Sequence, residues 1–188
     1  MKKISNYLIL GLGILILLIS YNFDQKLSLL IKNIKLPLLD AVLGIITNFG
    51  VVIIAMLVVP SIILYKQNKK SAYLLFITFL ISIVLAFIIK LIVLRQRPIG
   101  TLAYPFTNII NYSFPSMHSM VAFALLPILI KNVPRQKHFW VLFAFLVAFT
   151  RIYFGFHFLS DVIFGAFVGY FIGKFLLDLY KKKKLWIK

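Results

Sequence analysis

The chain has 188 residues, the length of one domain, yet 62% of them are hydrophobic, which is more than the interior of a soluble protein of this size can hold. Its net charge of +17 comes largely from lysines that flank apolar segments, which is typical of membrane proteins and argues against a nucleic-acid partner. The absence of cysteine excludes disulfides and thiolate chemistry, and four aspartates without any glutamate argue against a carboxylate-built two-metal centre.

The chain begins with a basic Met1-Lys2-Lys3 and continues with an uncharged apolar run over residues 4–23, long enough to cross a bilayer core of about 30 Å. A secretory signal peptide begins in the same way, but no small-residue cleavage site follows, so we expect this first helix to be retained. In residues 24–48, apolar side chains recur at the spacing of one helical face. This stretch is therefore either an amphipathic helix along the membrane surface or a connecting loop.

Five more apolar segments follow. They lie at about residues 49–65, 71–94, 115–130, 138–153 and 158–180, with a polar and aromatic loop at 99–114 and a basic tail at 181–188. Pro60 predicts a kink in the first of these five, and Pro98 predicts that the next one ends before it. Pro115 and Ser116 suit the start of a helix. We predict an all-α integral membrane protein with a single domain over residues 1–188 and six transmembrane helices in one bundle.

The distribution of basic residues predicts the orientation of the bundle. With the N-terminus inside and six crossings, most of the 21 lysines and arginines fall on the inner side, so the positive-inside rule predicts an N-in, C-in topology. Four cations run against this rule, at or near the outer ends of the third and fifth helices: Lys90, Arg95, Arg97 and Arg151. They are candidates for function, although Arg95 could contact either lipid heads or substrate and its role stays open.

Three separated stretches are expected to reach this outer face together. The first runs from Lys90 to Pro98, the second is Pro115-Ser116-Met117-His118, and the third runs from Thr150 to Asp161. Lys90 and Arg97 are seven residues apart, or two helical turns, so we expect them to point the same way. His157 and Asp161 are four apart, so on a helix they share one face and the carboxylate can hold one imidazole nitrogen.

The residue types in these stretches suit phosphoryl transfer without a metal or cofactor. Lys90, Arg97 and Arg151 supply three cations, and each arginine can bind phosphate oxygens through two nitrogens. The Ser116 hydroxyl and the free backbone N–H of Met117, at a helix start, add hydrogen-bond donors and a favourable dipole. Such groups stabilise the charge that spreads over the equatorial oxygens during phosphoryl transfer.

Two histidines complete the predicted chemistry. His157, oriented by Asp161, can act as the in-line nucleophile that forms a phosphohistidine. His118 can protonate the leaving oxygen and then take a proton from the attacking water. Each residue alone also has a structural explanation, such as a membrane anchor, a helix cap or a satisfied interior histidine. The coincidence of three stretches on one face favours the catalytic interpretation, whereas His138, on the inner side, is expected to be structural.

These stretches resemble the signature of the type 2 phosphatidic acid phosphatase (PAP2) family of membrane enzymes, which reads Lys-x6-Arg-Pro, Pro-Ser-x-His and Ser-Arg-x5-His-x3-Asp. Every spacing matches over residues 90–161, and the departures are Met117 for the usual glycine and Thr150 for the usual serine. The resemblance implies the site roles given above. It also implies that vanadate should inhibit, since the family's site is similar to that of vanadium haloperoxidases.

The resemblance and the topology lead to a functional expectation. We expect a lipid phosphate or pyrophosphate to be hydrolysed, with undecaprenyl pyrophosphate favoured, at the outer side of the cell's cytoplasmic membrane. Phosphatidylglycerophosphate and phosphatidate are alternative substrates. A transporter of anions or lipid heads is an alternative of another class, although no pair of broken helices in matched halves supports it. Gly165, Gly169 and Gly173 predict close helix packing, within the bundle rather than between copies, so an oligomer is possible but not indicated.

Overall fold

The computed structural model of the protein describes residues 2–32, 34, 36–98 and 111–186. Regular structure within these ranges is entirely helical, which confirms the predicted all-α class. The helices are α1 (Lys2–Lys32), α2 (Pro37–Thr47), α3 (Phe49–Gln67), α4 (Lys69–Val93), α5 (Met117–Asn132), α6 (Lys137–Tyr153) and α7 (Leu159–Trp186), with a short 3-10 turn at Pro134–Gln136. Most of the predicted loop, residues 99–110, lies outside the described residues, as does the end of the basic tail, residues 187–188.

Within the described ranges, four helices are long and apolar enough to cross a membrane. These spans are Gly11–Ile31, Phe49–Gln67, Lys69–Val93 and Leu159–Lys182. By contrast, α5 has 16 residues and α6 has 17, which is shorter than the roughly 20 residues of a full crossing. The lengths support an integral membrane protein, while the six crossings and the N-in, C-in orientation stay predictions.

Helix α1 is longer than predicted, because it continues past residue 23 as far as Lys32. No glycine or proline interrupts this stretch, and Asp24, which was expected to lie beyond the first helix, is only 2% exposed. Helix α2 then starts with Pro37 in its first turn, where the missing N–H costs no hydrogen bond. The stretch predicted as one surface helix or loop is therefore the end of α1 followed by a separate short helix.

A π-helical turn, Ile54–Val58, interrupts α3 just before Pro60. Proline has no N–H to donate, and its ring crowds the carbonyl group four residues earlier, so the helix widens at this point. The helix is therefore irregular next to Pro60, where a π turn is found, while the kink itself stays a prediction.

Helix α5 forms the centre of the bundle. Every side chain from Ser119 to Leu129 is buried, so this helix is covered on all faces, chiefly by α4, α6 and α7. Its most extensive contact is with α7, where Gly165, Gly169 and Gly173 face successive turns of α5. A Cβ atom on Gly169 would lie 2.2 Å from a backbone carbonyl oxygen of α5, so only glycine allows this approach. The glycine stripe therefore packs within the bundle, as predicted.

Large apolar side chains cover the outside of α1, α3 and α4. Leu18, Ile62 and Ile92 are among those that are more than half exposed. An apolar surface this extensive suits contact with lipid chains and does not suit water. The charged and polar groups of the candidate site lie at one end of the bundle.

Candidate active site

A tight turn between α6 and α7 builds the centre of the site. The chain leaves α6 at Tyr153 and passes through Gly155, whose φ of 69° lies in the left-handed region that glycine adopts without strain. In the first turn of α7, Oδ2 of the buried Asp161 accepts a hydrogen bond from the backbone N–H of Phe158 at 2.8 Å. A carboxylate at this position caps the helix and is stabilised by the helix dipole.

His157 lies just before α7, so it does not share a helical face with Asp161 as the four-residue spacing predicted. The capping turn brings the two side chains together instead, with Nδ1 of His157 3.7 Å from Oδ2 of Asp161. This distance is too long for a hydrogen bond, so Nδ1 forms none among the described residues, although the backbone of Ser113 also interacts with the ring. Catalytic hydrogen bonds of this kind often shorten only when substrate is bound.

The protonation of His157 follows from its neighbours. Nε2 lies 3.3 Å from a terminal guanidinium nitrogen of Arg97, which can only donate. Nε2 therefore presents its lone pair, and the proton of the neutral ring is on Nδ1. Burial lowers the pKa of His157 well below its usual value, and the positive charges of Arg151, Arg97 and Lys90 act in the same direction. The ring is neutral at physiological pH.

Three buried cations surround His157, each fixed by hydrogen bonds to oxygen atoms. Lys90 donates to the carbonyl oxygen of Tyr112 at 2.5 Å, Arg97 donates to those of Asn111 at 3.0 Å and Phe156 at 2.6 Å, and Arg151 donates to the hydroxyl of Thr47 at 2.5 Å. Arg151 also stacks on the ring of Phe156, 4.6 Å from its centroid. A concentrated, buried positive charge favours the binding of a phosphate anion.

Lys90 and Arg97 reach this cluster by a route that differs from the prediction. Helix α4 ends at Val93, and Leu94 adopts a left-handed φ of 51°, with its N–H bonded to the carbonyl oxygen of Lys90 at 3.1 Å. Arg97 therefore lies on a non-helical segment and not two helical turns beyond Lys90. The two positive charges nevertheless repel each other electrostatically, so the side chains are near each other although the helical reason for it was wrong.

The start of α5 carries the second motif. Ser116 is the N-cap, as predicted, and its Oγ accepts from the N–H of Ser119 at 3.4 Å. The N–H of Ser116 donates to the carbonyl oxygen of Asp161 at 3.1 Å, which joins α5 to α7 at the level of the site. Met117 is the first residue of α5, so helix geometry leaves its N–H without an acceptor inside the helix.

His118 lies in the first turn of α5 and completes the cluster. Its ring lies beside the backbone of Thr47 and packs edge-on against the ring of Phe49, with the centroids 4.6 Å apart. It also interacts electrostatically with Arg151 and His157. The structure therefore brings the three predicted stretches together at one end of the bundle. Among the described residues, no group of three histidine or acidic side chains is placed to hold a metal ion.

Three residues that hold this site together were not predicted, and a fourth, Arg95, was a candidate without an assigned role. Thr47 contacts Arg151 and His118, while Asp24, Arg95 and Ser160 form hydrogen bonds beside Asp161. For Asp24 a signal was present, because a carboxylate within an apolar membrane segment is expected to have a function. Thr47 carried no such signal, since one threonine at a helix end is ordinary.

Several known proteins are similar to this chain in sequence and in fold. The sequence profile of the PAP2 superfamily matches residues 70–185. An undecaprenyl-diphosphatase from Sulfolobus acidocaldarius is 28% identical over 156 residues, which cover 80% of this chain and 75% of that protein. Phosphatidylglycerophosphatase B from Bacillus subtilis is 27% identical over 160 residues, which cover 78% of this chain and 77% of that protein.

A solved structure supports the same fold. The crystal structure of a transmembrane PAP2-type phosphatidylglycerolphosphate phosphatase from Bacillus subtilis is similar over 90% of this chain and 94% of that chain, with a TM-score of 0.72 and 23% sequence identity. The match covers the helical bundle, and the superfamily profile covers all three motifs. The chain therefore belongs to the PAP2 superfamily and is a PAP2-type phosphatase of lipid phosphates.

Proposed function

We propose that this enzyme hydrolyses undecaprenyl pyrophosphate without a metal ion and through a phosphohistidine at His157. The observation that carries the proposal is the placement of the His157 ring between Arg97 and Asp161. Its Nε2 lone pair faces the guanidinium of Arg97 at 3.3 Å, and its Nδ1 proton faces the carboxylate of Asp161. A phosphate oxygen bound by Arg97 would bring the phosphorus atom next to Nε2.

The terminal phosphate binds where the three cations converge. Lys90, Arg97 and Arg151 neutralise its charge, and the two arginines fix its orientation through paired N–H groups. The Ser116 hydroxyl and the Met117 N–H add donors at the positive end of α5. These groups bind the equatorial oxygens most strongly when charge accumulates on them, so they stabilise the transition state more than the bound substrate.

The reaction then takes two steps. Nε2 of His157 attacks the terminal phosphorus, the bond from phosphorus to the bridging oxygen breaks, and His118 donates a proton to that oxygen. The lipid monophosphate leaves. A water molecule next attacks the phosphorus of the phosphohistidine and gives a proton to His118, the bond from phosphorus to Nε2 of His157 breaks, and inorganic phosphate is released. Throughout, Nδ1 of His157 keeps its proton and the Asp161 carboxylate stabilises the positive ring.

The choice of substrate rests on similar proteins. The 28% identical relative from Sulfolobus acidocaldarius is an undecaprenyl-diphosphatase, which supports a polyprenyl pyrophosphate. Phosphatidylglycerophosphate is the second candidate, because the 27% identical protein from Bacillus subtilis is phosphatidylglycerophosphatase B. Both lipids present a terminal phosphoryl group at the membrane surface, and the proposed phosphate-binding residues act on that group in either lipid.

We also propose that the site faces the outer side of the cytoplasmic membrane, with six crossings and both termini inside. The cluster lies at the Lys90 end of α4, whereas the opposite end of α4 begins with Lys69 and Lys70. The positive-inside rule favours that basic end on the inner side. Because the chain has no cysteine, single cysteines can test this. An impermeant thiol reagent should label Asn48→Cys in intact cells and should not label Lys70→Cys, and the reverse pattern would contradict the orientation.

The function itself is tested with purified protein in detergent micelles containing EDTA. Undecaprenyl pyrophosphate, phosphatidylglycerophosphate and phosphatidate are offered in parallel, and phosphate release is measured for the wild type, His157→Ala and His138→Ala. His138 is an exposed histidine at the start of α6, so its variant is the matched control. We expect release from undecaprenyl pyrophosphate by the wild type and by His138→Ala only. Activity that survives in His157→Ala, or that EDTA abolishes, would contradict the mechanism, and faster release from phosphatidylglycerophosphate would favour the second substrate.

A further inference from the structure

A group of four hydrogen-bonded side chains joins α1 to the turn between α6 and α7. Arg95 donates from one guanidinium nitrogen to Oδ1 of Asp161 and from the other to Oδ2 of Asp24, both at 2.7 Å. Ser160 lies between them, because its Oγ accepts from Arg95 at 2.7 Å and donates to Asp24 at 2.5 Å. Asp24 and Asp161 are fully or almost fully buried, so both carboxylates depend on these hydrogen bonds.

We propose that Arg95 and Asp24 are a pair of positioning residues that fix the Asp161 carboxylate and set the net charge beside His157. The proposal rests on the proposed function of this site, since it assigns a purpose to the orientation of Asp161. Neither residue is among the proposed phosphate-binding groups, because Arg95 binds Asp24, Ser160 and Asp161, so both are positioning residues and not catalytic ones. Both act through Asp161, whose Oδ1 is held by Arg95 while its Oδ2 faces Nδ1 of His157 at 3.7 Å.

The environment of Arg95 indicates that its side chain is held in one position. The guanidinium carbon lies 4.2 Å from the ring centroid of Phe158 and 5.3 Å from that of Tyr21, so aromatic rings contact it from α1 and from the turn between α6 and α7. Asp24 is fixed in turn, since the backbone N–H of Ser160 donates to its Oδ1 at 2.9 Å. A planar guanidinium with two bound carboxylates keeps both in the same relative orientation, which lysine could not do.

The charges explain why Asp24 is needed as well as Arg95. Arg95 alone would neutralise Asp161 and draw its negative charge away from His157. Asp24 accepts from the other terminal nitrogen of the guanidinium, so Asp24, Arg95 and Asp161 together carry one negative charge. That charge lies next to His157 and opposes the positive charges of the phosphate-binding cluster. Asp24 thereby allows Asp161 to stabilise the positive ring that forms with the phosphohistidine.

The groups that face His157 come from each element packed around it. They are Lys90 of α4, Arg97 of the segment after α4, His118 of α5, Arg151 of α6 and Asp161 of α7. Because these groups stay the same in each variant, the loss of one charge at Arg95 or Asp24 shifts the protonation of His157 in a defined direction. Loss of the Arg95 charge makes protonation of His157 easier, and loss of the Asp24 charge makes it harder.

The same contacts could serve only to hold α1 against α7. The direction in which each variant shifts the pH profile separates this explanation from the proposal. If the pair only holds helices together, Arg95→Gln and Asp24→Asn weaken the same structure and change activity in the same way. If the pair sets the charge beside His157, the acid limb of the kcat/KM profile moves to higher pH in Arg95→Gln and to lower pH in Asp24→Asn. The double variant then returns towards the wild type, because the two charge changes cancel.

The experiment measures phosphate release against pH for the full chain in micelles, after the wild type has been shown to form a phosphohistidine. We expect opposite shifts of about 0.5 to 1 pH unit in the two single variants. Arg135→Gln and Asp178→Asn are the controls, since both residues lie outside the site, and Asp178 pairs with Lys174 near the far end of α7. Shifts in the same direction, or no shift in either variant, would overturn the proposal.

Arg95→Lys keeps the proposal testable if Arg95→Gln does not fold. Lysine retains the positive charge, so we expect the acid limb to stay near its wild-type pH. It lacks the paired nitrogens that bind both carboxylates, so we expect kcat to fall about tenfold or more because Asp161 is no longer held. An Arg95→Lys enzyme with wild-type kcat would contradict the positioning role. Because each comparison starts from a wild type that forms the phosphohistidine, failure here is distinct from failure of the proposed function.

Discussion

The contact between α5 and α7 makes one substitution especially informative, Gly169→Ala. A Cβ atom at this position would lie 2.2 Å from the carbonyl oxygen of Met120 and 2.9 Å from its carbonyl carbon. Close contacts between carbon and oxygen in proteins are about 3.3 Å long, so the two helices must separate by about 1 Å. Both partners are backbone atoms, so no side-chain rotation can relieve the overlap.

The separation should affect both stability and activity. Overpacking of this kind costs about 1–3 kcal/mol of unfolding free energy. Ser116 caps helix α5, which carries His118 in its first turn, and α7 carries Asp161, so the same movement displaces the site. A displacement of about 1 Å lowers the rate by up to about 100-fold.

Gly11→Ala is the matched control, because a Cβ atom there would meet nothing within 4 Å and the change in helix propensity is the same. Unfolding in mixed micelles gives the stability of each variant, and phosphate release gives kcat/KM. We expect Gly169→Ala to be less stable and much less active than the wild type, while Gly11→Ala is at least as stable and fully active. Equal stability and activity of the two variants would refute the packing explanation.

Three further predictions concern the site. Because the pKa of His157 is held well below 6.5, the acid limb of the kcat/KM profile should lie below pH 6.5, and an acid limb above pH 6.5 would contradict this. The unfolding free energy should also fall as pH drops through 6.5, because His157 is protonated there in the unfolded chain but not in the folded protein. Thr47→Val removes the hydroxyl that accepts from Arg151, so KM should rise about tenfold or more, and an unchanged KM would show that Thr47 does not position Arg151. Vanadate should inhibit competitively and bind about tenfold or more weakly to Arg151→Gln, and equal inhibition of both enzymes would exclude Arg151 from the anion site.

Much of the site could be predicted from local sequence. Ser116 caps α5 because a short polar side chain before an apolar run accepts the first free N–H groups, and this is a local property. The glycine stripe of α7 was predictable for the same reason, since its four-residue period is visible along the chain. Such features do not depend on which distant residue becomes a neighbour.

The features that the sequence did not predict depend on distant partners. Asp24 can be buried within α1 because Arg95, 71 positions later in the chain, supplies the opposite charge. Leu94 ends α4 in a left-handed conformation that leucine rarely adopts, and the following segment is held by a hydrogen bond from the N–H of Ser113 to the carbonyl oxygen of Arg95 at 2.7 Å. The motif spacing therefore predicted which residues meet, while tertiary contacts decide how each of them arrives there.

The most direct test of the mechanism is to trap the covalent intermediate. Substrate labelled with ³²P in its terminal phosphate is mixed with purified enzyme in EDTA, the reaction is quenched in alkali within milliseconds, and the labelled peptide is identified by mass spectrometry. The proposed mechanism predicts an alkali-stable, acid-labile phosphoryl group on His157 that forms and decays at rates compatible with turnover and is absent from His157→Ala. Turnover without any labelled protein, or with the label on His118, would contradict it.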